Sequence, residues 1–134
     1  MIAPVGMNNG QLGKLIRKTA TSIHEDNPGF WKFELAETLV FVITDESHNR
    51  MRIMTPVSDM DMISSDELKI LLNANYDRAL DARYCINDDV LWSAFLHPLQ
   101  ELKDHQFLDA LNQVVTLSKN FGSTYTSSDL IFGG

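Results

Sequence analysis

Apolar residues near the start of the chain recur at intervals of three and four positions. They are Leu12, Leu15, Ile16, Ala20 and Ile23. This spacing is typical of an amphipathic helix with one buried face. Asn8 or Asn9 is suited to cap its N-terminus. The helix ends at Asn27-Pro28-Gly29, because proline cannot continue the helical hydrogen-bond ladder.

The period of the pattern changes to two between Phe30 and Thr55. Apolar and polar residues alternate there, as they do in half-buried strands. The apolar positions are Trp31, Phe33 and Leu35, the run 39–43, and Met51 and Ile53. Short polar connections at 36–38 and 45–49 suit hairpins. The pattern therefore predicts three consecutive antiparallel strands.

A helix start signal follows these strands. Ser64 and Glu67 have the spacing of a capping box, and Ile63 and Leu68 have the spacing of a hydrophobic staple. We therefore expect a second helix to begin at Ser64. Its predicted apolar face contains Leu68, Leu71 and Leu72.

The rest of the chain predicts another hairpin and a last helix. Residues 82–97 return to a period of two around the turn 87–89, and an amphipathic segment runs from Asp104 to Gly122. The predicted fold class is α+β, a twisted antiparallel sheet with helices packed on it, in the order α-β-β-β-α-β-β-α. We assign residues 1–122 to a single domain and residues 123–134 to a C-terminal tail.

Charge and cysteine content narrow the environment and the partners. The chain has 134 residues, enough for one domain, and a formal charge of −7, which disfavours binding to phosphate backbones and anionic lipids. We therefore expect no nucleic-acid and no membrane partner. The single cysteine, Cys85, allows no intramolecular disulfide, and the first residues lack the features of a signal peptide. These features predict a cytoplasmic protein.

Residues able to support catalysis are scattered along the chain. The histidines are His24, His48, His97 and His105. They fall in different predicted elements and lack the helical spacing of a metal site, and the glycines form no phosphate-binding loop. The sequence therefore predicts no enzyme, no metal and no cofactor. One alternative stays open: a small-ligand or metal-assisted enzyme that uses His48, Asp59 and Asp61, if the two loops that carry them converge.

A sheet that helices cover on one face leaves its second face for water or a partner. We expect Trp31, Phe33 and Leu35 to face the helices. The residues then expected on the second face are Phe30, Lys32, Glu34, Val40, Val42, Arg52 and Met54. We predict partner binding by the apolar members Phe30, Val40, Val42 and Met54; the alternatives for this face are an ordinary exposed sheet surface and a homodimer interface. The apolar triplet of the tail, Leu130, Ile131 and Phe132, is a second predicted binding element, which would dock onto the sheet of its own chain or onto a neighbouring subunit.

The second half of the chain also carries a short signature. Residues 71–76 (Leu-Leu-Asn-Ala-Asn-Tyr) place a Leu-Leu-x-x-Asn pattern at the end of the second helix, before a hairpin at 82–96, a Pro98-Leu99 step and the helix from Asp104 to Lys119. With the element order and the acidic charge, this arrangement resembles the type III secretion chaperone-like superfamily, which includes the YbjN-like proteins. The resemblance covers residues 8–121.

The resemblance implies a helix-covered, twisted antiparallel sheet, frequent dimerisation and recognition of an extended protein segment through apolar patches. Main-chain hydrogen bonds and side-chain pockets explain how such a surface gains affinity and selectivity. We therefore expect a protein-binding module, either chaperone-like or a regulatory adaptor, that captures a segment of a partner protein and forms a homodimer.

Overall fold

Helices and one sheet make up the structure, a computed structural model that describes residues 6–128. The helices are α1 (Asn9–Thr19), α2 (Ser65–Asp77) and α3 (Asp104–Lys119). The strands are β1 (Ser22–Asn27), β2 (Phe30–Leu35), β3 (Thr38–Asp45), β4 (Arg50–Asp59), β5 (Arg83–Asn87) and β6 (Val90–Pro98). These elements confirm the predicted α+β class. Within residues 6–128, no helix is long and apolar enough to cross a membrane.

The strands form one antiparallel sheet in the order β1-β2-β3-β4-β6-β5. Consecutive hairpins join β1 to β4, and β6 pairs with β4, so β1 and β5 are the edges. The two-residue turns Ala36-Glu37 and Asp88-Asp89 have positive φ at both positions, as in type I′ turns. The twist of such turns matches the right-handed twist of paired strands. The strands predicted between Phe30 and Thr55, and the second hairpin, are therefore confirmed.

The predicted first helix is too long, and the sheet has one more strand than expected. Helix α1 ends at Thr19, and Ile23 lies in β1 opposite Phe33 of β2. Every residue of β1 is exposed, so the strand has no alternating apolar pattern. Its backbone pairing with β2 overrides the helical spacing of one isoleucine. The element order is α-β-β-β-β-α-β-β-α, and Pro28-Gly29 is the turn of the β1–β2 hairpin.

The helices cover one face of the sheet and enclose the core. The main buried side chains of the sheet are Trp31, Phe33, Val40, Val42, Ile53 and Leu91. Those of the helices are Leu12, Ile16, Phe107, Leu111, Val114 and Leu117. Full burial of one such side chain contributes ~1.5–3 kcal/mol. This layer is therefore the main source of stability.

Two side-chain hydroxyls fasten α3 to the sheet. Ser93 Oγ of β6 donates a hydrogen bond to the carbonyl of Val114 at 2.8 Å, and the Tyr84 hydroxyl of β5 donates to the carbonyl of Leu117 at 2.9 Å. Both contacts are buried. A buried polar group that loses its partner costs ~1–3 kcal/mol, so these bonds fix where α3 lies on the sheet.

The Leu-Leu-x-x-Asn signature has a structural role at the β5 edge. Its last residue, Asn75 of α2, donates through Nδ2 to the carbonyl of Tyr84 at 3.0 Å and accepts from the Tyr84 backbone N–H at 2.8 Å. The side-chain amide of Asn75 thus makes the two hydrogen bonds to Tyr84 that the backbone of a neighbouring strand would otherwise make. Because an unpaired strand edge invites further pairing, this contact also protects part of the edge.

Helix α2 has a narrower buried face than predicted. Leu71 and Ala74 are buried, whereas the side chain of Leu72 is 71% exposed. Adjacent residues of a helix point ~100° apart, so Leu71 and Leu72 cannot both face the core. Leu72 is therefore a surface residue.

The first part of the predicted tail packs against the domain. Ser64 caps α2 as predicted, because its hydroxyl oxygen accepts a hydrogen bond from the backbone N–H of Glu67 at 3.1 Å. The carboxylate of Glu67 contacts the tail, where it accepts a hydrogen bond from the hydroxyl of Tyr125 at 2.7 Å. Ser127 is buried and donates through Oγ to the carbonyl of Ala79 at 2.7 Å. Residues 123–128 therefore continue the packed structure beyond α3.

Candidate functional site

The face of the sheet opposite the helices has no covering layer among residues 6–128. We call it the open face. Its side chains come from alternate positions of all six strands. They include Ser22, Glu25, Asn27, Phe30, Lys32, Glu34, Leu39, Phe41, Ile43, Asp45, Arg50, Arg52, Met54, Pro56, Trp92, Ala94, Leu96, Arg83, Cys85 and Asn87.

Aromatic side chains form a row across this face. The ring centroids of Phe30 and Phe41 are 6.1 Å apart, those of Phe41 and Trp92 are 6.0 Å apart, and both pairs meet edge to face. The Lys32 ammonium nitrogen lies 5.8 Å from the centroid of Phe41. Such contacts hold the rings in place, so the row presents a pre-ordered apolar surface with a cation beside it.

A groove of about 770 Å³ lies next to this row. Its apolar lining includes Ile43, Met54, Ala94, Leu96 and Ile86. Leu96 is 53% exposed. A groove of this size fits the range of ~300–1,000 Å³ in which proteins bind ligands. Its walls can therefore take up several apolar side chains of a partner.

The charges in the groove are mainly positive. Arg50 and Arg52 line it, and Asp45 is the one carboxylate among its described lining residues. Hydrogen bonds from the Ser47 hydroxyl and the His48 side chain lower the pKa of Asp45 to about 2. Asp45 is therefore ionised at neutral pH, and its carboxylate oxygens are engaged in hydrogen bonds with Ser47 and His48 of the same turn.

Cys85 also lines the groove but is not an activated nucleophile. Partial burial raises the pKa of its thiol, and the nearby Arg52 only partly opposes this effect. A thiol with a raised pKa is neutral at pH 7, and the thiolate is the reactive species. Cys85 therefore acts here as a small apolar wall residue.

The predicted partner-binding residues fall in three places. Phe30 and Met54 lie on the open face. Val40 and Val42 are fully buried in the core, so their predicted placement on the open face is wrong. Register explains the error: Val42 lies opposite Trp31 and Val40 opposite Phe33, and residues directly opposite in a sheet share a face. The tail triplet at 130–132 lies outside the described residues.

Sequence reasoning missed several central members of the open face. Phe41 and Ile43 take the positions that were predicted for Val40 and Val42, and Trp92 and Leu96 of β6 join them. The available signal was the unbroken apolar run 39–43, since a strand that is apolar on both faces is typical of a sheet covered on both sides.

The alternative site of His48, Asp59 and Asp61 does not form. His48 lies in the turn before β4, and Asp59 is the last residue of β4. A strand rises ~3.3 Å per residue, which places the two ends of β4 roughly 30 Å apart. Among residues 6–128, no group of three or more His, Cys, Asp or Glu side chains is placed to hold a metal ion. The convergence that this alternative requires is therefore absent from the described part of the chain.

Comparison with known proteins gives matches to solved structures alone. No protein-family model and no curated protein matches the chain. A structure of the HopA1–SchA chaperone–effector complex matches at a TM-score of 0.62 and 10% identity, covering 82% of this chain and 88% of that chain. A structure of the ExsC–ExsE complex matches at a TM-score of 0.64 and 13% identity, covering 96% and 100%.

A third match is the Yersinia pestis type III secretion chaperone SycH, solved in complex with a stable fragment of YscM2. Its TM-score is 0.62 at 12% identity, and the match covers 85% of this chain and 98% of that chain. The chain therefore has the type III secretion chaperone-like fold, and the predicted resemblance is confirmed at the level of fold.

Proposed function

We propose that this protein is a chaperone-like protein-binding module that acts by holding a segment of a partner protein, without catalysing a reaction. One observation carries the proposal: the open face joins a row of ordered aromatic rings to an apolar groove of about 770 Å³. A contiguous apolar surface that is rimmed by polar residues is a feature of sites for other proteins.

The two-sided character of the central strands supports this assignment. In β3, Val40 and Val42 fill the core while Phe41 and Ile43 point to the open face. An antiparallel sheet with a solvated face normally alternates apolar and polar residues, whereas a strand buried on both sides is apolar throughout. The composition of β3 thus favours a second covering layer, which a partner segment would supply.

The solved structures with this fold agree with a binding role. One is a chaperone–effector complex, and another is a type III secretion chaperone bound to a fragment of YscM2. A client-protecting chaperone and a regulatory adaptor both require capture of a protein segment, so the open face serves either role. A cytoplasmic location and kinship with the YbjN-like branch stay predictions.

Site-specific photo-crosslinking in the native cell tests the proposal. A photo-crosslinking residue placed at Leu96, in the groove, should attach a defined segment of one partner protein, which mass spectrometry of the crosslinked peptide would identify. The matched control is the same residue at Leu108, which is 38% exposed on α3. Equal crosslinking from both positions, or none from Leu96, would show that the open face does not hold a partner.

We also propose that the protein forms a homodimer through the outer side of α2. Leu72 and Tyr76 are 71% and 77% exposed, and their spacing of four places them on one face of the helix. Because a twofold interface uses the same patch on both subunits, a paired α2 face buries both residues twice. This face is separate from the groove.

Sedimentation velocity tests the homodimer. The wild-type chain should have the mass of a dimer, and the double variant Leu72→Glu with Tyr76→Glu should have the mass of a monomer, because burying four carboxylates at one interface is unfavourable. Leu108→Glu is the control and should remain dimeric. A wild-type chain that sediments as a monomer would contradict the proposal.

A further inference from the structure

The open face is more basic than the molecule as a whole. The chain as a whole carries a formal charge of −7. Its open face nevertheless presents four basic side chains, Lys32, Arg50, Arg52 and Arg83, beside the three carboxylates of Glu25, Glu34 and Asp45. The basic excess lies in the groove, where Arg50 and Arg52 face the single carboxylate of Asp45, and local charge of this kind selects a partner of the opposite sign.

The arginines of the groove have no carboxylate partner within residues 6–128. Arg17 on α1, by contrast, holds Asp26 at 3.1 Å. Asp45 lies opposite Arg50 in the β3–β4 pairing, but its oxygens accept hydrogen bonds from Ser47 and His48. The guanidinium groups of the groove are therefore available to carboxylates from outside the chain.

The spacing along β4 defines the chemistry that fits. Arg50, Arg52 and Met54 occupy alternate positions and point to the same face. Alternate residues of a strand are ~6.6 Å apart, and those of an extended partner have the same spacing. An extended segment that runs along β4 with acidic residues at i and i+2 and an apolar residue at i+4 would meet all three side chains.

We infer that the open face selects an acidic, apolar segment of a partner protein, in which carboxylates alternate along the backbone beside aliphatic or aromatic side chains. The inference rests on the proposed function and specifies its ligand. The apolar groove and aromatic row supply affinity, while the two arginines set the register and reject basic segments.

The same arginines and rings do not favour a nucleic acid. Single-stranded nucleic acids bind along continuous basic grooves, where several cations follow the phosphate backbone. Here the groove has two arginines among aliphatic walls, and the surrounding molecule repels phosphate. A peptide with few charges and several apolar side chains suits this surface better.

Fluorescence anisotropy with defined peptides tests the inference. The probe is a labelled peptide containing Glu-Ala-Glu-Ala-Leu-Ala-Leu, compared with analogues in which Gln or Lys replaces Glu. We expect the Glu peptide to bind about tenfold more tightly than the Gln analogue, because two exposed ion pairs contribute little individually and add to about that factor. Added salt should remove the difference.

Variants of the chain separate charge selection from docking itself. Arg50→Gln with Arg52→Gln should bind the Glu and Gln peptides equally, whereas the control Lys14→Gln with Lys18→Gln, on exposed positions of α1, should keep the preference. Equal binding of the Glu and Gln peptides by the wild-type chain, tighter binding of the Lys peptide, or no binding of any peptide would overturn the inference. Tighter binding of a single-stranded oligonucleotide would overturn it as well. Crosslinking from Leu96 decides independently whether the face holds a protein segment at all.

Discussion

Asp45 shows how a turn can engage a carboxylate that lies beside the arginines of the groove. It is the carboxylate nearest to Arg50 across the β3–β4 pairing, yet Ser47 and His48 occupy its oxygens. Removing these hydrogen bonds would leave the carboxylate ionised at neutral pH but would free its oxygens beside Arg50. The turn is thus part of the site, although it belongs to no apolar surface.

Removing the Ser47 hydroxyl should raise the pKa of Asp45. In the wild-type chain this pKa is lowered from its ordinary value of 3.8 to about 2, with the Ser47 hydrogen bond as the largest cause. A carboxylate with a lowered pKa stabilises the fold above its ordinary pKa, and this contribution is lost as the pH falls towards 2. NMR titration of the Asp45 carboxyl carbon should give a midpoint near 2 in the wild type and closer to 3.8 in Ser47→Ala.

Ser22→Ala, at an exposed position of β1, is the matched control and should leave the Asp45 midpoint unchanged. An unchanged midpoint in Ser47→Ala would mean that the serine does not hold the carboxylate in solution.

At the scale of elements, the contact between α2 and β5 depends on one side chain. Asn75→Ala removes both hydrogen bonds to the Tyr84 backbone and leaves that strand edge unpaired. We expect it to lower the free energy of unfolding by ~2 kcal/mol. Urea denaturation measures the change. Asn73→Ala, two residues earlier on the exposed side of α2, should change it by no more than ~0.5 kcal/mol. Similar losses of unfolding free energy in both variants would show that the hydrogen bonds of Asn75 to Tyr84 do not stabilise this contact.

Local signals account for the elements that the sequence predicted. Ser64 caps α2 in the structure as its spacing with Glu67 predicts, and the polar turns at 36–37 and 88–89 close hairpins. Strand β1 was missed because all its side chains are exposed, so only pairing with β2 makes it a strand. Extended structure that depends on a neighbour leaves no periodic trace in the sequence.

The candidate site was predictable as a face, but only some of its members could be predicted. Alternation in β2 correctly separated Trp31 from Phe30. The run 39–43 is apolar at every position, so its pattern fits either orientation, and a shift of one residue exchanges the two faces. The register that puts Val42 opposite Trp31 is set by the pairing of β2 with β3, which the pattern of one strand does not reveal. Alternation placed Arg52 on the second face, but its position between Ile43 of β3 and Leu96 of β6 becomes visible only when the strands are paired.

At the scale of the whole molecule, the packed part of the tail, up to residue 128, and the apolar triplet 130–132 require separate truncations. Tyr125 binds Glu67 of α2, and Ser127 binds the carbonyl of Ala79. A truncation after Gly122 therefore removes buried contacts, and its effect on binding would mix with a loss of stability. A truncation after residue 128 keeps every one of these contacts and removes the apolar triplet 130–132.

The shorter truncation tests the predicted role of that triplet in partner binding. We expect it to leave the midpoint of thermal unfolding unchanged, because the contacts of Tyr125 and Ser127 remain, and to weaken crosslinking of the partner from Leu96 or to change the sedimenting mass. The truncation after Gly122 is the comparison. It should lower the unfolding midpoint, because it removes the hydrogen bonds of Tyr125 to Glu67 and of Ser127 to the carbonyl of Ala79. A chain ending at residue 128 that matches the full chain in stability, mass and crosslinking would exclude the triplet from binding. The open face and α2 would then have to supply every contact with a partner.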